Sequence, residues 1–127
     1  MSDSGGTLKL YGQKCDHLLG ESEIRFAGIV DKNGKLIAGG FKKGIIPYEN
    51  DETKLQSFFE FVSKTSIRKE FDESLGPINY LAARRDKAVL VSFPFPITKI
   101  LLLISAEPTV NIEILAKKVV EIFTDVN

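Results

Sequence analysis

The chain has 127 residues, with 17 Lys+Arg against 17 Asp+Glu, 43% hydrophobic and 27% charged. A chain of this length buries roughly 67% of its extended surface on folding, which is enough for one core and too little for two ordinary domains. The composition excludes a disordered or collagen-like chain, and zero net charge argues against a nucleic-acid-binding surface.

Residues 1–7 are polar and Gly-rich, with no basic start and no apolar signal core. They read as a flexible tail ahead of a single domain over 8–127, and a cytoplasmic location is expected. Residues 8–19 read as a short amphipathic helix whose apolar face carries Leu8, Tyr11, Cys15, Leu18 and Leu19, with Gly20 as its C-terminal stop. The one cysteine, Cys15, lies on that face and reads as a small buried hydrophobe. A single Cys and a single His (His17) exclude an internal disulfide and leave no zinc-ligand spacing.

Residues 24–30 and 35–41 are β-rich runs joined by Asp31-Lys32-Asn33-Gly34, a hairpin in which Asn-Gly is expected to supply positive φ angles. Alternation puts Ile24, Phe26, Gly28 and Val30 on one face, with Leu36 and Ala38 able to join that layer. Gly39 and Gly40 mark a bulge or a close backbone approach by a helix, a second subunit or a ligand. A loop with Ile45, Ile46, Pro47 and Tyr48 follows. Asn50 or Asp51 then caps a long helix expected over 52–71, weakened across residues 63–66. Its Phe58, Phe59, Phe61 and Val62 cover more than one face, so the surplus is a candidate partner interface.

Gly76-Pro77 ends that helix, and strands are expected over 78–83, 88–95 and 99–105. The last is nearly all apolar, which suggests a central strand covered on both faces. Its five-residue core, 100–104, is the longest apolar run in the chain and far below the roughly 20 of a membrane span. Asn111 opens a final helix over 112–123. The order α-β-β-α-β-β-β-α with short strand links gives an α+β fold, a five-stranded antiparallel sheet with helices packed against it.

That order, together with the phrase from Ile24 to Gly40, resembles the roadblock/longin group of the profilin-like architecture. The chain also resembles an uncharacterised family of small proteins of ammonia-oxidising archaea, through the hairpin phrase, Ile67-Arg68-Lys69-Glu70-Phe71-Asp72, Leu75-Gly76-Pro77 and Val91-Ser92-Phe93-Pro94. This second resemblance implies an archaeal source and carries no catalytic residues. The first implies a homodimer that serves as a platform for a small GTPase or another regulatory partner.

No GxSxG, HExxH, GxGxxG or P-loop pattern is present, and no cofactor, metal or catalytic residue is indicated. Asp51-Glu52 and Asp72-Glu73 read as helix-end electrostatics, and Arg68 and Lys69 face Asp72 and Glu73 at helical spacing. Two readings result. One is a non-catalytic regulatory or scaffolding module that homodimerises through Phe58, Phe59, Phe61 and Val62 or the neighbouring hairpin strand. The other is a PAS/GAF-like small-molecule sensor, with Gly39, Gly40, Tyr48, Tyr80, Arg84 and Arg85 as candidate ligand or anion contacts.

Overall fold

The structure, a computed structural model, describes residues 4–66, 69–95 and 98–125. It contains helices α1 (Ser4–Leu19), α2 (Glu52–Ser66), α3 (Asp72–Leu75) and α4 (Ile112–Ile122). Its strands are β1 (Ile24–Val30), β2 (Leu36–Phe41), β3 (Leu81–Arg84), β4 (Val89–Phe95) and β5 (Ile100–Ala106). The strands form one antiparallel sheet in the order β2-β1-β5-β4-β3. The apolar run of β5 is therefore central, and every residue of it except Ser105 is buried.

Alternation along β5 feeds two cores. Leu102 and Ile104 join Ala27, Ile29, Val89, Val91 and Phe93 under α1 and α4, which contribute Tyr11, Cys15, Leu18, Leu115 and Val119. Leu101 and Leu103 join Phe26 and Val30 beneath Phe58, Phe59 and Val62 of α2. Each fully buried aliphatic side chain stabilises the fold by about 1.5–3 kcal/mol, so the sheet needs a helix on both faces to bury what its sequence carries. Across the top of the first layer, the Lys14 ammonium donates to the Ile122 carbonyl at 2.6 Å and pairs with Asp125 at 2.7 Å, tying α1 to the C-terminal end of α4.

The β1–β2 turn differs from the expected Asn-Gly hairpin. Only Gly34 takes a positive φ, +84°, while Asp31 Oδ1 accepts from the amides of Asn33 and Lys35. A four-residue turn with a left-handed glycine results, and the register shifts between Ile29 and Val30. That shift overturns the expected shared layer: Leu36 lies beside Gly28, whereas Ala38 packs with the α1 core. A second irregularity between Ile24 and Phe26 sends Ile24 to the α1 core as well, against its parity with Phe26.

Helix α1 begins at Ser4, so residues 4–7 are helical where a tail was expected, and Leu8 is half exposed. Helix α2 ends at Ser66, short of the expected 71. Residues 63–66 include Ser63, Thr65 and Ser66, weak helix formers, and the Ser63 hydroxyl donates to the Asp31 carbonyl at 3.3 Å. The residues Ile67, Arg68 and Pro96 of the sequence reading lie outside the described residues. Edge strand β3 starts at Leu81 rather than 78, where pairing with Ser92 begins. Beyond Ser92, β4 has no β3 partner, which is why Pro94 is tolerated inside it. Both expected caps form: Asp51 Oδ1 accepts from Thr53 N and Lys54 N, and Asn111 Oδ1 from Ile114 N.

Cys15 is fully buried, and burial pushes its thiol pKa up to about 12 from 9.0. The fold holds the neutral thiol, and the unfolded chain releases its proton above pH 9. Stability is expected to be unaffected below that pH and to fall progressively from about 9 towards 12. Urea unfolding of wild type and Cys15→Ala across this range checks it: the decline should be shallower in the variant. Parallel curves would place the thiol outside the core.

Candidate functional site: the open face beside helix α2

On the α2 face, β4 presents Ala88 at its approach, then Leu90 and Ser92, and β5 ends in Ser105. These side chains are small or modest, and α2 covers β1 and β5 instead. An open groove of about 830 Å3 remains between the N-terminal half of α2 and the β3–β4 turn. Its floor is Phe26, Leu90 and Leu103; its walls are Lys54, Leu55 and Phe58 of α2, Tyr48 and Glu49 of the preceding loop, and Arg85, Asp86 and Lys87 of the turn.

Arg25 closes one end. It is the only charge in the strand Ile-Arg-Phe-Ala-Gly-Ile-Val and is 8% exposed. Its Nη1 pairs with Glu107 Oε2 at 3.3 Å, its Nη2 donates to the Ile46 carbonyl at 3.0 Å, and its guanidinium stacks 4.0 Å from the centre of the Tyr48 ring. A buried guanidinium with three partners fixes the 42–51 loop against the sheet. Lys42 holds the start of that loop by donating to the Glu21 carbonyl at 2.6 Å. Sequence reasoning passed over Arg25, although a lone charge inside an apolar strand was its visible signal.

The four interface candidates divide. Phe58, Phe59 and Val62 pack on the sheet, with the Phe59 ring 6.3 Å from that of Phe26. Phe61 points away and is 63% exposed. Further exposed apolar side chains are Phe71, Leu75 and Leu81, the last on edge strand β3.

The six ligand candidates do not converge on one site. Tyr48 and Arg85 line the groove. Tyr80 lies on the opposite face, its ring 5.7 Å from Phe93 and its hydroxyl donating to Glu113. Arg84 is engaged by the backbone, donating to the carbonyls of Pro108 and Val110. That clamp seats the chain leading into α4, and it follows from pairing in β3, which turns Arg84 away from the Leu81/Ala83 face. Gly39 meets α1: a β-carbon there would stand 2.9 Å from Cys15 Sγ and 2.2 Å from the Ala27 carbonyl. Gly40 has open space around it. The close approach expected at the paired glycines is thus a helix packing contact at Gly39 alone.

Among the described residues no cluster of His, Cys, Asp and Glu could hold a metal ion, and no helix is long and apolar enough to cross a membrane.

Residues 5–126 match the family described as "Family of unknown function (DUF6659)". The chain belongs to this family. No curated protein matches the sequence. Solved structures resemble this member of DUF6659 closely in shape. A roadblock/LC7 domain from Streptomyces avermitilis superposes with a TM-score of 0.66 at 9% identity, covering 90% of this chain and 92% of that one. MglB of Myxococcus xanthus gives 0.62 at 15% identity, covering 93% and 90%. An MglB structure described as having a tetrameric arrangement gives 0.63 at 12% identity, again covering 93% and 90%. At such identities the likeness is one of fold, and the fold of this DUF6659 chain is of the roadblock/LC7 kind.

Proposed function

We propose that the chain is a non-catalytic regulatory module that pairs with a second copy of itself and presents the resulting surface to a regulatory protein, of which a small GTPase is the leading candidate. The observation that carries the reading is exposed apolar surface on α2 and around edge strand β3. Phe61 stands 63% exposed on α2, and β3 is a free sheet edge whose four residues are all exposed. Leu81 and Ala83 pair with Ser92 and Leu90, so they share the α2 face of the sheet with Phe61's helix. Phe71 and Leu75, 67% and 79% exposed, lie just ahead of that edge. An exposed edge flanked by large apolar side chains favours association. The roadblock/LC7 fold supports the same reading by analogy, and one similar structure carries a tetrameric arrangement in its description.

Size-exclusion chromatography with light scattering on two single variants tests where the pairing occurs. Phe61→Glu puts a charge into the proposed interface and is expected to yield monomer, a loss of at least about tenfold in association. Ile114→Glu, at an exposed apolar position on α4, is expected to leave the assembly unchanged. Dissociation by Ile114→Glu and not by Phe61→Glu would move the interface to the α1/α4 side.

The sensor reading draws less support. Its anchors Tyr80 and Arg84 are engaged on the far face, and Gly39 is occupied by α1.

A further inference from the structure

The groove beside α2 is continuous with the surface proposed for pairing: Leu90 of its floor pairs with Ala83 of β3, and Phe58 of its wall lies one turn before Phe61. Its charges are unequal. Arg25, Lys54, Arg85 and Lys87 line it, against Glu49 and Asp86. Arg25 is balanced by Glu107 from outside the groove, and Lys54 by Glu49 at 3.7 Å. Among the described residues Arg85 and Lys87 form no ion pair, and only Asp86 lies between them. The mouth on the turn side therefore keeps one positive charge in excess. That turn is exposed and is held by the Arg85 amide, which donates to the Ala88 carbonyl at 2.8 Å.

The complementary pattern stands on α3. None of its residues is buried, and Phe71 and Leu75 are 67% and 79% exposed. The Leu75 amide donates to the Phe71 carbonyl at 2.8 Å, which sets the two side chains one turn apart on one side of the helix. Asp72 and Glu73 lie between them in sequence, and among the described residues neither forms an ion pair. The pairing of Lys69 with Glu73 expected from helical spacing is absent, because α2 ends at Ser66 and α3 begins only at Asp72. The segment thus offers two large apolar side chains and two carboxylates that its own chain leaves uncovered.

Symmetry brings segment and groove together. A two-fold axis that keeps both α2 helices on one side of a joined sheet runs the two β3 edges antiparallel. The start of one β3, at Leu81, then stands beside the end of the other, at Arg84, where the basic turn begins. Six residues separate Leu75 from Leu81, a reach of up to about 20 Å. We propose that in this pair α3 of each copy docks at the groove of the other, an inference that rests on the pairing reading. Asp72 and Glu73 meet Arg85 and Lys87 of the other copy, and Phe71 and Leu75 lie between that turn and its Leu55 and Phe58. The contact is made twice, once on each side of the axis. Two side chains do not fill a groove of about 830 Å3, so Leu90 on its floor stays largely open.

Charge exchange tests the docking. The double variants Arg85→Glu/Lys87→Glu and Asp72→Lys/Glu73→Lys each set like charges against each other in their own pair. Each is expected to weaken self-association by at least about tenfold in sedimentation equilibrium. Mixed in equal amounts, the two variants carry opposite charges at both contacts. Native mass spectrometry is then expected to show the mixed pair in preference to either like pair, which also shows that both variants are folded. Phe71→Ser, at a side chain outside both cores, is expected to weaken wild-type association by about tenfold. The docking is overturned if either double variant or Phe71→Ser associates as tightly as wild type, or if the mixture shows no preference for the mixed pair. A wild-type chain that stays monomeric overturns the pairing reading and the docking together. A wild-type pair insensitive to these substitutions keeps the pairing and removes the docking alone.

Discussion

Replacing Gly39 with alanine is expected to destabilise the protein by about 2–6 kcal/mol, from about 1–3 kcal/mol of left-handed backbone strain and a similar amount for overpacking. Gly39 has φ +81°, and its new methyl would stand 2.2 Å from the Ala27 carbonyl and 2.9 Å from both Cys15 Sγ and Gly28 Cα. Two of these three neighbours are backbone atoms of the paired strand, so relief requires moving β1 or lifting α1 away from the sheet. Against a total stability of about 5–15 kcal/mol, such a loss takes much of the fold. Gly40→Ala is the control, because nothing lies within 4 Å of its added carbon. Its effect should stay within about 1 kcal/mol. Urea unfolding monitored by circular dichroism separates the two. Equal and small effects would mean that α1 is not seated on β2 as described.

Leu102→Ala is expected to cost about 2–5 kcal/mol, the usual range for a cavity in a core that cannot collapse. Leu102 is fully buried at the middle of the central strand, paired with Ile29 on one side and Phe93 on the other, in the layer under α1 and α4. Leu90→Ala removes the same atoms from the floor of the open groove, where the side chain is only half-buried. A loss of about 1 kcal/mol is expected there. The contrast measures how unequally the sheet is covered. A loss at Leu90 as large as that at Leu102 would mean that the groove is filled in solution.

Much of the fold was legible from the sequence because β5 is a stretch that only a two-sided burial can accommodate. The element order followed from turn chemistry at Gly34, Gly76-Pro77 and Asn111. What escaped were features set by pairing between distant residues. The faces of Ile24 and Ala38 depend on register shifts that alternation along one strand cannot reveal. The start of β3 depends on where Ser92 offers a partner.

The candidate site was legible only in part, for a related reason. A cluster such as Phe58, Phe59, Phe61 and Val62 announces surplus apolar surface, but only the packing on Phe26 and Leu103 shows that Phe61 is the one left over. Arg84 and Arg85 are adjacent and chemically alike in sequence. Strand alternation sends one to the α4 approach and leaves the other on the groove rim. Arg25 needs Glu107 and Tyr48, residues far from it in sequence, before its burial makes sense.

Sedimentation equilibrium of the unmodified chain at micromolar concentration tests the proposed self-association through the α2 and β3 side most directly. The expected result is a species of twice 14.1 kDa that dissociates on dilution. A single 14.1 kDa species at every concentration would contradict the central claim and leave Phe61 and the β3 edge without the partner assigned to them.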